Sequence, residues 1–294
     1  MMRLLHSWDR FFHREVPPHL LAIVRIALGF FLMLYVATQW IQVPLFSREF
    51  GLTVPFVRGS HALFFFLFHP SLSLMHILFA SIFCLLLSFT VGFRTRTSAL
   101  LLIGFLLYFH LLTQYLFSTS FYRLFGFGLM VFLLPGGGKT FSIEMMQKKG
   151  SFFAWEPISI LPQRFLALQV SFTYFAVGWQ KLFLPVWKTG AVLRNGFMGR
   201  WATPLAWYLV RRLPESAFDL MVASVKVFEC LIPFGLWIPR VQGWFFFGGF
   251  LFHTIITLTL EIWWFQFLIP LYIVFLNPDD VYQFCKSLSR GRIR

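Results

Sequence analysis

Charge is what this sequence has least of. Only 12% of its 294 residues are Asp, Glu, Lys or Arg, and the acidic ones number 11. A soluble globular domain carries roughly 25% charged residues. A chain this poor in charge cannot clothe itself in polar surface, so the bilayer must be the solvent for much of it. Cysteine is scarce as well: Cys84, Cys230 and Cys285 are the three. They show no CxxC or Cys/His metal spacing, and a disulfide framework is not expected. A cleavable leader with a small-residue cleavage site is missing, so the first apolar run is expected to stay as an anchor. Also missing are a soluble domain, a tandem repeat and a low-complexity linker.

What fills the chain is apolar. Hydrophobic residues make up 58%, and Phe alone occurs 42 times. The mean hydropathy is +0.73. A helix needs about 20 largely apolar residues to cross ~30 Å of hydrocarbon. Eight runs are candidates: 20–42, 72–92, 97–117, 121–134, 161–184, 219–237, 242–263 and 264–277. The fourth and eighth are short. No strand-length alternation separates the runs, so helices are the default. The expected fold is all-α, a polytopic integral membrane bundle of about eight transmembrane helices.

The formal net charge is +14. No single basic face gathers it, which argues against a nucleic-acid partner. The cations sit in short loops and tails, where they act as topology signals and contact anionic headgroups. If both termini are cytoplasmic, only Arg48, Arg58, Lys188, Arg194, Arg200, Arg211 and Arg212 lie outside. Arg25, Arg123, Arg164, Lys181 and Lys226 lie within runs, and the rest of the 25 Lys and Arg lie inside. Two long outer connections hold the apolar stretches His61–His69 and Trp201–Val210, too short to cross and suited to interfacial or re-entrant helices. The inner connection 135–160 opens on Gly136-Gly-Gly138, a turn after a helix end. It lacks the spacing and preceding strand of a phosphate loop.

Polar groups inside the runs carry the chemistry. Arg25 and Arg164 lie within about two turns of the cytoplasmic ends, where snorkelling accounts for them. On the same topology His76, His110, Lys181, Lys226, Glu229 and His253 fall in the outer half or at the midplane, and a shared outward-opening cavity is expected. Lys226 and Glu229 are three apart and can pair on one helix face. Glu229 can instead partner Lys181 or His253 across helices. Desolvation disfavours an ammonium, so a buried lysine can present a neutral amine as base or nucleophile, while a nearby carboxylate acts the other way. No HxxxH or Glu-x-x-His pair marks a metal site.

The stretch Tyr174-Phe-Ala-Val-Gly178-Trp-Gln-Lys181-Leu182, followed by Trp187 and Gly190, resembles the signature of the vitamin K-dependent γ-carboxylase-like family. This family is also called the horizontally transferred transmembrane (HTTM) domain. Glu229 in the sixth run and Phe252-His253 in the seventh match its acidic residue and its Phe-His pair. Leu21-Ala-Ile-Val-Arg25-Ile-Ala-Leu-Gly29 and Leu134-Pro-Gly136 with Phe141-Ser142 are similar to its first span and fourth-span ending. The resemblance covers most of the chain and implies one HTTM-like domain over 1–294, closing in a short basic cytoplasmic tail at 278–294. It implies Lys181 as a base, with His253 and Glu229 lining the site. Trp187, His110, Lys226 and Tyr174 would contact substrate, and the cofactor would be a quinol or vitamin K-like molecule. The family's histidine before the fourth span has no counterpart in Ser118–Arg123, and its large luminal domain is absent after Asn277. Full glutamate carboxylation is therefore not expected. Two other readings stay open: a non-enzymatic membrane partner in export, immunity or assembly, and a small transporter.

Overall fold

The computed structural model describes residues 11–50, 70–113 and 120–290. The apolar stretch His61–His69 lies outside them, as does the end of the third predicted span. The described chain is mostly helical with almost no strand, and the protein divides into two compact units. The first holds the chain up to Phe165 together with Leu276 onward, and the second holds Leu166–Phe275.

In the first unit, strand β1 (Glu15–Val16) pairs antiparallel with β2 (Ile158–Ser159). Between them run helices α1 (His19–Gln39), α2 (Leu72–Thr90), α3 (Thr95–Thr113), α4 (Ser120–Val131) and α5 (Ile143–Lys149). A 3₁₀ stretch, Trp40–Phe46, extends α1. Two helical segments, His19–Phe46 and Leu72–Thr90, are long and apolar enough to cross a membrane. In α2 the buried residues Met75, Phe79, Ile82, Leu86 and Phe89 recur at helical spacing, while Ile77 and Leu87 face outward at 61% and 51% exposure. A helix apolar on both faces suits lipid on one side and protein on the other.

Local chemistry sets the ends of these helices. The Ser71 hydroxyl accepts from the Leu74 amide at the start of α2. The Ser142 hydroxyl does the same for Met145 in α5, which carries Glu144 in its first turn and Lys148 and Lys149 in its last, and which stops at left-handed Gly150. The turn between α2 and α3 uses Gly92 at φ 70°. A β-carbon there would lie 2.9 Å from the Arg25 guanidinium carbon, so the position needs glycine twice over.

Arg25 corrects the snorkelling expectation. Its side chain is fully buried. It donates to the backbone carbonyls of Gly137 and Phe141, and more loosely to those of Thr90 and Thr140. The turn through Gly136–Phe141 folds over the guanidinium, so carbonyl oxygens rather than water satisfy it. Arg25 thereby ties the end of α2 and this turn to α1.

The second unit contains the body of α6 (Leu161–Phe183), the short α7 (Ala191–Gly196) and α8 (Pro204–Arg212), and then α9 (Glu215–Gly235) and α10 (Gln242–Thr259). Predicted spans five, six and seven correspond to α6, α9 and α10. Span eight does not form an α-helix. Trp263–Phe275 is a 3₁₀ stretch containing Pro270. Proline lacks the amide that an α-helical turn would use, which favours the departure from α geometry. The stretch Trp201–Val210 yields the nine-residue α8, capped by the Thr203 hydroxyl. Its start is tied to the end of α10 through Thr203 N–H to Thr259 O at 3.1 Å and Glu261 N–H to Trp201 O at 2.7 Å. The expected tail also folds. Residues Pro278–Arg290 form helix α11 in the first unit, where Tyr282 meets His19 of α1 with ring centroids 4.9 Å apart.

Candidate functional site: a buried lysine–glutamate pair

The second unit gathers most of the candidate residues on four segments: α6, the 3₁₀ turn Pro185–Trp187, α9 and α10. Tyr174, Gly178 and Lys181 are spaced four and three apart and so share one face of α6. Gly178 permits close approach to α9: a β-carbon at this position would stand 2.9 Å from the Glu229 β-carbon and from the Cys230 nitrogen. Larger side chains would push α9 away, and Lys181 would lose its partner one turn further on.

That partner is Glu229. The Lys181 ammonium donates to both carboxylate oxygens at 2.6 Å. The side chains are 14% and 6% exposed, so little water screens the pair. Trp187, set on the 3₁₀ turn Pro185–Trp187 just after α6, covers the ammonium with its ring centroid 4.3 Å from Nζ. Lys226 donates to the Trp187 carbonyl at 3.2 Å. Among the described residues Lys226 makes no ion pair with Glu229, so of the three partners open to Glu229 the structure has Lys181, across helices. Asp219 holds the approach from the other side by accepting the Gly190 amide at 2.6 Å.

His253 and Tyr174 meet in a second polar cluster. The Tyr174 hydroxyl lies 2.5 Å from His253 Nε2 and 2.5 Å from the Tyr272 hydroxyl. All three residues are buried, and His253 Nδ1 has no hydrogen-bond partner among the described residues. Along α6, Tyr174 lies seven residues from Lys181, or ~10 Å at 1.5 Å per residue. The α6 face thus carries an amine at one level and a phenol at another.

Of the predicted residues, the structure brings together Lys181, Glu229, Trp187 and Lys226, and separately Tyr174 and His253. His110 and His76 belong to the first unit. His110 lines an apolar cavity there, and His76 lies beside Trp40, ring centroids 6.0 Å apart. Tyr272 escaped sequence reasoning. The signal for it was a phenol within the apolar run Trp264–Phe275, where a buried hydroxyl demands a partner.

Chemically, the lysine–glutamate pair can hold its shared proton on either partner. With the proton on Nζ it is an ion pair. With the proton on the carboxylate it offers a neutral amine beside a carboxylic acid. Both forms have zero net charge, so neither leaves an uncompensated ion in an apolar place.

The two apolar segments long enough to span and the apolar side chains turned outward define a helical membrane protein; its second unit holds a buried lysine–glutamate pair between helices. The chain belongs to the HTTM domain family, whose model matches residues 13–279. This is a family of membrane domains related to the vitamin K-dependent carboxylase. No curated protein and no solved structure matches the chain.

Proposed function

We propose that the chain is a multi-pass membrane protein of about eight spans, with both termini cytoplasmic, that binds a quinol-like or lipid-like molecule beside Lys181. The observation that carries this reading is the doubly hydrogen-bonded Lys181–Glu229 pair beneath Trp187. A charged pair among membrane helices is costly and marks a functional place by default. A quinol held beside Lys181 would supply an acidic hydroxyl, and Lys181 Nζ, with the pair's proton held by Glu229, is the group that would accept its proton and then stand as a counter-charge. Trp187 offers an aromatic face to the ring and limits water. His253 and Tyr174 offer a second set of hydrogen-bonding groups along α6.

Mass spectrometry of the full chain, extracted in mild detergent, tests this. The wild type is expected to retain a quinone or related isoprenoid, and Lys181→Ala to lose it while still inserting in the membrane. Equal retention by Lys181→Ala would refute the assignment. A wild type empty of small molecules but held by a stable polypeptide would favour the non-enzymatic partner instead.

A further inference from the structure

The first unit contains a cavity of about 100 Å³ that the lysine–glutamate reading does not use. Its two ends differ in chemistry. Leu32 of α1, Leu86 of α2, Leu102 of α3 and Leu129 of α4 line one end. Gln39 at the last turn of α1 and His110 near the end of α3 line the other, with Tyr35 one turn in from Gln39.

This polarity follows from the helix directions. The Arg25 end of α1 lies at the Thr90 end of α2, and Val43 and Phe46 beyond α1 pack on Met75 and Phe79 near the start of α2. The two helices are therefore antiparallel, and the short turn after α2 sends α3 back alongside α1's direction. From Leu32 to Gln39 is ~10 Å and from Leu102 to His110 ~12 Å, at 1.5 Å per residue. The cavity is thus a slot parallel to the helices, apolar along its length and polar at one end. His110 is exposed and Gln39 half-buried, so the polar end reaches the surface.

We propose that this slot binds a neutral single-chain amphiphile, with its aliphatic or isoprenoid chain among the leucines and its hydroxyl or carbonyl at Gln39 and His110. Among the described residues the lining includes no Lys, Arg, Asp or Glu, so these residues offer an ionised headgroup no counter-charge. Gln39 supplies both a donor and an acceptor, and His110 one more of either kind. The volume of about 100 Å³ seats a short segment of one slender chain, the remainder lying outside the slot: a larger engineered apolar cavity, roughly 150 Å³, takes up benzene. A double-chained phospholipid does not fit.

The test is photolabelling of the full chain in nanodiscs with a diazirine-bearing long-chain alcohol, read by peptide mass spectrometry. Saturable labelling of α1 and α3 is expected, competed by decanol, with decyl phosphate at least tenfold weaker as competitor. Leu86→Trp, which fills the apolar end, is expected to cut the labelling at least tenfold. Phe247→Ala, on an exposed face of α10, is expected to leave it unchanged. Labelling confined to outward-facing residues such as Phe30 and Ile77, or indifferent to Leu86→Trp, would overturn the proposal. Equal competition by decyl phosphate would overturn the neutral headgroup. Should Leu86→Trp fail to elute as a folded species, the two competitors on the wild type still decide the matter.

Discussion

At the scale of single residues, the pairing of Lys181 with Glu229 separates stability from function. Removing one partner of a buried ion pair strands the other charge and costs about 3–5 kcal/mol, whereas replacing both by apolar residues of similar volume is often neutral or stabilising. Lys181→Ala and Glu229→Gln are therefore expected to lower the thermal midpoint in detergent. The double variant Lys181→Met/Glu229→Leu is expected to recover it while carrying no bound small molecule. A double variant as unstable as the singles would mean that the pair holds the helices together by more than its charges. Arg25 makes the matching case on the other unit. Its guanidinium serves four backbone carbonyls, and leucine would leave them buried and unpaired at ~1–3 kcal/mol each at most. Arg25→Leu is expected to destabilise the first unit by several kcal/mol, checked by hydrogen exchange at Gly136–Phe141, and Arg25→Lys to rescue little because an ammonium lacks the planar fork.

At the scale of elements, the loop between α5 and β2 carries a pH-sensitive clamp. Glu156 accepts from Lys139 and Lys148 at 2.6 Å each, and Lys149 stands 3.2 Å away. Hydrogen bonds from these lysines, Lys139 foremost, hold its carboxyl down at about 2 against an ordinary 4.5. A depressed carboxylate stabilises the folded loop fully above about 4.5 and loses that contribution as pH falls toward about 2. Amide protection across 139–156 is expected to fall over this window in the wild type and to stay flat in Glu156→Gln, measured by hydrogen exchange corrected for the intrinsic rate. A wild-type loop equally protected at both ends of the window would show that the clamp contributes nothing.

The same scale shows what the sequence could disclose. Apolar runs bounded by Gly, Pro and charged turns gave α1, α2, α6, α9 and α10 to within a few residues, because burial and helical spacing coincide in them. The run 264–277 has no such coincidence. Hydropathy is uniform there, and only the structure reveals the 3₁₀ path and Tyr272. Within the candidate site, spacing put Lys181, Gly178 and Tyr174 on one face but left Glu229 with three candidate partners, Lys226, Lys181 and His253. The choice depends on how closely α6 and α9 approach at Gly178, a tertiary fact that local pattern does not encode. Arg25 was misjudged for a similar reason: its carbonyl partners lie 65 or more positions away in sequence.

At the scale of the whole molecule, charge and structure together argue for orientation. In the first unit Arg25 holds the carbonyls of Gly137 and Phe141, and Glu144 accepts the Thr95 amide at 2.6 Å. These bonds place the α2–α3 turn and the α5 loop at the same end, and with them Arg94, Arg96, Lys139, Lys148 and Lys149. Helix α11, with Lys286, joins them through the contact of Tyr282 with His19. Basic residues near span ends are retained on the cytoplasmic side, which supports the proposed orientation with this end in the cytoplasm. A cysteine-free background, with Cys84, Cys230 and Cys285 replaced by Ser, allows a direct check. Lys148→Cys is expected to resist a membrane-impermeant maleimide on intact cells and to react after lysis. Arg211→Cys, in α8 and outside on the proposed topology, is expected to react on intact cells. Labelling of Lys148→Cys from outside would invert the orientation and put the basic end of the first unit where the positive-inside rule does not allow it.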